Sequence, residues 1–259
     1  LPVAKTRLDG TYRRFSIFMA SFSDLPTPPA PGQLPGMDFS PVAGFYDALA
    51  SVAFGGALRR AQRAALAAGL PPGPGPRLLV LGGGAGWVLS EIWRQRPQAQ
   101  VLYLELSAAM LARTRARLRR VPPPPGAAVE LRQGSEAALL PGEQFDAIIT
   151  FFVLDCFTAS ALPAALARLE AARRPGAPWL IADFRPARRG WRRWLLGTMY
   201  LFFRLTVGLR TRQLPPWPAE LRKLGLHPSH KQYFFKKSIA TLVWRDNSSA
   251  APEENKFSG

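Results

Sequence analysis

The reading turns on residues 77–87, RLLVLGGGAGW. Five residues of strand character, Arg77 to Leu81, run straight into a cluster of glycines, and Trp87 opens a segment with helical spacing. A strand that turns sharply into a helix needs glycine where the backbone takes positive φ or where a ligand must approach bare main chain. Gly82, Gly84 and Gly86 supply that turn. Their spacing is G-x-G-x-G. The dinucleotide fingerprint G-x-G-x-x-G would place its third glycine at position 87, which is Trp87. The next strand, QVLYLEL over Gln100 to Leu106, ends on Glu105. An acid at the carboxyl end of a parallel strand is placed to accept hydrogen bonds from both hydroxyls of a ribose.

Outward from this core the pattern repeats. A helical stretch from Phe45 to Leu70 is stopped by PPGPGP at Pro71 to Pro76. After the glycine turn come a helix over Trp87 to Arg96, the Glu105 strand, a helix over Ser107 to Arg120 and a strand over Ala128 to Gln133. Then follow a strand over Phe145 to Leu154, a helix over Ala159 to Arg173 and a strand over Ala177 to Phe184. Apolar strands alternating with amphipathic helices predict a mostly parallel sheet with helices on both faces. The end differs. A helical run over Trp191 to Val207 precedes two strand segments, Ser229 to Phe235 and Ile239 to Arg245, close enough to form an antiparallel hairpin. The expected fold is an α/β Rossmann-like, seven-stranded, mostly parallel sheet with a C-terminal antiparallel hairpin. The expected organisation is a Pro-rich leader over 1–36, one domain over 37–246 and a tail over 247–259. Met37 stands as a candidate natural start.

In these motifs the chain resembles the class I S-adenosylmethionine-dependent methyltransferases, particularly their small-molecule, quinone-biosynthesis-like branch. The resemblance spans Phe45 to Arg245. LLVLGGGAG matches the family's first motif, VLYLELSAAML its second, EQFDAIITFFVLDCF its fourth-strand motif and RRPGAPWLIADF its fifth strand. It implies S-adenosylmethionine as cofactor, shaped by Gly82, Gly84 and Gly86 and held at the ribose by Glu105, with Leu106 beside it. It also implies Ser135 and Glu136 flanking the adenine, Phe151 near the cofactor at the end of the fourth strand, and Tyr46 closing over it. The chain departs from the family at Val80 and Ser135, where acids are common, and at Asp155, where quinone-type relatives often carry histidine. The sulfonium methyl is already activated, so the protein mainly positions it and, where needed, supplies a base. Asp155 is the candidate base; a polar residue before the following helix is the plainer reading.

Composition narrows the classes. With 47% hydrophobic residues the chain is not disordered throughout, and the single cysteine, Cys156, excludes a disulfide scaffold. Cys156 lacks the preceding proline of cytosine-5 methyltransferases, and no Asn/Asp-Pro-Pro-Tyr/Phe tetrapeptide follows the fourth strand, which weighs against base methylation. His227 and His230 read as surface residues, and no cluster has metal-site spacing. The 34 Lys+Arg against 17 Asp+Glu give +17, a balance that favours phosphate-rich partners or anionic membranes. Much of it is arginine on solvated helix faces such as Arg113 to Arg120. The segment Arg188 to Arg212 interleaves arginines with aromatics, either as a lid helix or as a peripheral membrane contact admitting a lipid-like acceptor. The expectation is a cytoplasmic methyltransferase for a small, hydrophobic acceptor. RNA methylation, or a basic binding module with a vestigial cofactor pocket, is the alternative.

Overall fold

Leu78 and Val80 pack on one face of the sheet, while Leu79 and Leu81 pack on the other. That period of two, in a run apolar on both sides, is what a central strand covered on both faces requires. In the computed structural model, which describes residues 56–185, 215–235 and 237–247, this strand is β1 (Arg77–Leu81). Parallel β2 (Gln100–Glu105) and β4 (Ala147–Phe151) flank it. Outside them lie β3 (Ala128–Gln133), parallel to β2, and β5 (Trp179–Phe184), parallel to β4. β7 (Ile239–Asp246) and β6 (Leu226–Phe234) close the sheet as antiparallel strands, in the order β3-β2-β1-β4-β5-β7-β6. The seven-stranded, mostly parallel expectation is therefore met. The carboxyl ends of β1, β2, β4 and β5 share one edge.

Helices cover both faces. α1 (Ala57–Gly69) buries Ala57, Ala61, Ala65 and Leu66, a 3.6-period stripe. Gly69 lets it sit down on the sheet, since a Cβ there would lie 2.8 Å from Leu180 Cγ. α2 (Trp87–Gln95) and α3 (Ala108–Arg120) complete this layer. Ser107 caps α3, its hydroxyl accepting from the Met110 N–H at 3.3 Å. The other face holds α4 (Leu162–Ala171) and α5 (Trp217–Lys223), packed on Leu79, Ile148, Trp179 and Trp244.

Several boundaries differ from the pattern-based reading, and the hairpin's first strand begins at Leu226 rather than Ser229. The fourth strand stops at Phe151 rather than Leu154, because Phe152 takes φ 56 and the chain coils into a tight 3₁₀ turn over Leu154–Cys156. α4 starts at Leu162 with proline in its first turn, and Thr158 Oγ1 accepts from the Ala161 N–H just before it. α5 was not anticipated; its proline-rich start, PPWP, is tolerated because first-turn N–H groups have no helical partner. β6 is an exposed edge strand, irregular between Pro228 and His230, which discourages pairing with another chain. Tyr46 and the whole of Arg188–Arg212 lie outside the described residues. Among the described residues no helix is long and apolar enough to cross a membrane.

Candidate active site

The glycine turn is held from below. Gly82, Gly84 and Gly86 adopt φ of 67°, 65° and 77°, the left-handed region that glycine enters without steric penalty. The Gly84 carbonyl accepts from the Tyr103 hydroxyl at 2.9 Å and from Thr114 Oγ1 at 2.8 Å. The Ala85 carbonyl accepts from Arg117 Nε at 3.1 Å. Close packing explains three of the glycines. A Cβ on Gly82 would lie 2.7 Å from Val153 Cγ2, one on Gly83 2.3 Å from the Tyr103 ring, and one on Gly86 2.7 Å from Thr114 Cγ2. Gly84 is different: a Cβ there would meet nothing within 4 Å. One residue of the turn thus presents bare backbone to open space.

Glu105 joins the turn to the end of β2. Its Oε2 accepts from the Gly84 N–H at 2.9 Å and its Oε1 from the Ser107 N–H at 2.9 Å. Each oxygen keeps a second lone pair, so a diol can add to the same carboxylate. Burial raises its proton affinity, and the N–H groups of Ser107, Gly84 and Leu106 work against that rise. Leu106, the next residue, is 55% exposed, an unusual state for a leucine beside a buried acid.

The loop after β3 comes to the same edge, with the Gly134 N–H donating to the Glu105 carbonyl at 3.1 Å. Ser135 turns its hydroxyl back to accept from the Ala137 N–H. Glu136 is buried and takes Arg168 Nη1 of α4 on Oε1 at 3.2 Å, while its Oε2 has no partner. Phe151 packs into the core on the α1 face. Asp155 lies buried in the turn after β4, and Cys156 Sγ donates to its Oδ1 at 3.5 Å. Burial and the charges of Asp155, Asp183 and Glu105 push the Cys156 thiol strongly upward, so it stays protonated.

The structure therefore gathers the glycine turn, Glu105, Leu106, Ser135 and Asp155 on one edge of the sheet. Pattern reading missed Gly83, Tyr103, Thr114 and Asp183. The signal for Asp183 was available: an acid next to last in the apolar strand WLIADF. Those for Gly83 and Tyr103 were not, because only the folded pairing brings that ring under that residue. His227 and His230 are exposed on β6, away from this edge. Among the described residues, no three His, Cys, Asp or Glu side chains are grouped to hold a metal ion.

Residues 79–178 match the family described as a methyltransferase domain. Among solved structures, the mitomycin 7-O-methyltransferase MmcR has a TM-score of 0.58 at 18% identity, covering 91% of this chain and 68% of that one. A 1,6-didemethyltoxoflavin-N1-methyltransferase from Burkholderia thailandensis, solved with S-adenosylhomocysteine, gives 0.57 at 16% identity, covering 95% and 92%. The [4+2]-cyclase SpnF gives 0.55 at 16% identity, covering 72% and 80%. These likenesses establish the fold. No curated protein is significantly similar in sequence to the chain. Residues 79–178 thus carry a methyltransferase domain, and the fold around them is the one these methyltransferases share.

Proposed function

We propose that the chain transfers the methyl group of S-adenosylmethionine to a small, hydrophobic acceptor. The observation that carries this reading is the joint made by Gly84 and Glu105. A bare, positive-φ glycine faces open space, and its own amide is tied to a buried carboxylate with lone pairs to spare. Glu105 would take the ribose hydroxyls, and the exposed Leu106 side chain offers the adenine an apolar surface. Ser135 and Glu136 would border the base, Phe151 backs the end of β4, and Tyr46 is assigned to the cover.

The unpaired acids fit a cationic cofactor. Among the described residues every acid except Glu105, Asp155 and Asp183 is in an ion pair with an arginine or lysine. When bound, the cofactor supplies a methyl group already activated on a sulfonium sulfur. The chain's own part is then to hold and orient the two partners and to keep water out. Phe152, Val153 and Phe157, half-buried on the turn after β4, supply apolar contact for an acceptor. The similar methyltransferases named above bear names of small-molecule substrates, in line with that choice.

Calorimetry with S-adenosylmethionine and S-adenosylhomocysteine tests the reading. Wild type should bind both at one site, and Glu105→Ala should weaken binding by roughly 10- to 100-fold, the loss expected for hydrogen bonds to a charged group. Absence of binding by the wild type, or unchanged affinity in the variant, overturns it.

A further inference from the structure

Arginine is abundant in this chain, yet among the described residues three acids at the carboxyl edge have no ion pair with it. Glu105 ends β2, Asp183 is next to last in β5, and Asp155 sits in the turn that follows β4, the neighbour of β5. Asp183 is 0% exposed. Its Oδ1 accepts from the Phe184 N–H at 2.8 Å, and the Leu154 and Asp155 N–H groups face the same carboxyl, while Oδ2 has no partner. Asp155 is 4% exposed. Neither has an ion pair among the described residues. Among the described residues, the titratable group facing them is Cys156 on the same turn, whose thiol Glu105 of β2 also influences.

Two carboxyls held this close and away from water do not both ionise, because each charge disfavours the other and burial disfavours both. Burial, and then the Asp155 charge, hold Asp183 well above the usual carboxylate range; burial lifts Asp155 to about 6. The turn that carries Asp155 packs against the cofactor turn. Val153, two residues before Asp155, is the side chain that a Cβ on Gly82 would strike.

Resting on the methyl-transfer reading above, we propose that Asp155 and Asp183 hold one proton between them at neutral pH and that the ionised Asp155 takes the proton of an acceptor O–H or N–H. The bond from the methyl carbon to the acceptor atom forms as the methyl–sulfur bond breaks. The sulfur keeps that electron pair and leaves as a neutral thioether, and the acceptor's proton passes to the carboxylate and later to water. Asp155 is the base. Asp183 is a positioning residue that keeps the pair's proton, so that Asp155 is the member left ionised. A base whose pKa lies near the working pH suits weakly acidic protons, those of a phenol, an enol or a ring N–H. An aliphatic alcohol holds its proton too tightly for this carboxylate, and an acceptor arriving as an anion would meet three acids.

The sulfonium charge provides the test, because S-adenosylhomocysteine lacks it and is otherwise alike. Calorimetry of both ligands with the full chain, in phosphate and in imidazole buffer near the Asp155 pKa of about 6, counts the protons exchanged on binding. S-adenosylmethionine should expel more protons than S-adenosylhomocysteine. The difference should vanish in Asp155→Asn and shrink in Asp183→Asn, with affinity for S-adenosylhomocysteine held within about threefold. Equal proton counts in the wild type, or a difference that persists in Asp155→Asn, overturn the pair and leave the methyl-transfer reading standing. Failure of both ligands to bind the wild type overturns both. Carbon-13 NMR of aspartate-labelled wild type gives a ligand-free readout that needs neither variant to fold. One side-chain carboxyl should titrate well above the ordinary aspartate range, and a spectrum without it overturns the pair.

Discussion

An alanine at position 83 would put its Cβ 2.3 Å from the Tyr103 ring, which is buried and pinned by its hydroxyl to the Gly84 carbonyl. The ring has nowhere to go, so Gly83→Ala should lose about 1–3 kcal/mol of stability in urea unfolding, the range for overpacking a core. Gly84→Ala meets no neighbour and loses only the left-handed preference, about 1 kcal/mol. Its effect should fall on S-adenosylhomocysteine affinity, because the added methyl enters the space above the turn. Equal destabilisation by the two substitutions would refute the division between packing and ligand-facing glycines. This division explains what was legible in the sequence. Gly82, Gly84 and Gly86 stand out by spacing, and Glu105 by closing an apolar strand. Gly83 carries no such signal, since its constraint comes from a tyrosine twenty positions on, delivered by the parallel register of β1 and β2.

At the scale of elements, the exit from β4 shapes the acceptor side of the site. FDAIITFFVL is apolar almost throughout, so pattern alone carries the strand on to Leu154. What ends it is a backbone reversal at Phe152, whose N–H still donates to the Ala182 carbonyl at 2.7 Å and whose ring lies 5.0 Å from that of Phe184. Tertiary contact holds a non-glycine residue at φ 56, and that reversal turns Asp155 toward the edge of β5. Phe152→Ala and Phe152→Gly both remove the ring, but only glycine relaxes the backbone. Phe152→Gly should therefore be the more stable of the two by about 1 kcal/mol in thermal or urea unfolding. An alanine variant as stable as the glycine one would mean that the reversal is not strained. α5 escaped pattern reading for the opposite reason: its prolines read as a loop, although the first helical turn is where proline costs least.

For the whole molecule, alternation of strand and helix was enough to predict the sheet, because apolar period and turn residues agree from β1 to β5. What no local pattern contains is the distribution of charge over the fold. The chain carries +17, yet most of its described acids are engaged in short ion pairs such as Arg132 with Glu143 at 2.8 Å and Arg173 with Asp246 at 2.6 Å. The remaining cations repel one another across solvent over longer distances. Salt acts unequally on these two populations: contact pairs that are partly buried are weakly screened, while exposed charges beyond a Debye length are largely decoupled. Repulsion should therefore fade faster than attraction. Raising sodium chloride from about 0.05 M to about 0.5 M, where the screening length shrinks severalfold, should raise the Tm by a few degrees. A falling Tm would show that the ion pairs dominate the electrostatic balance. Sodium sulfate at equal ionic strength should raise it further, since exclusion from the surface adds to screening.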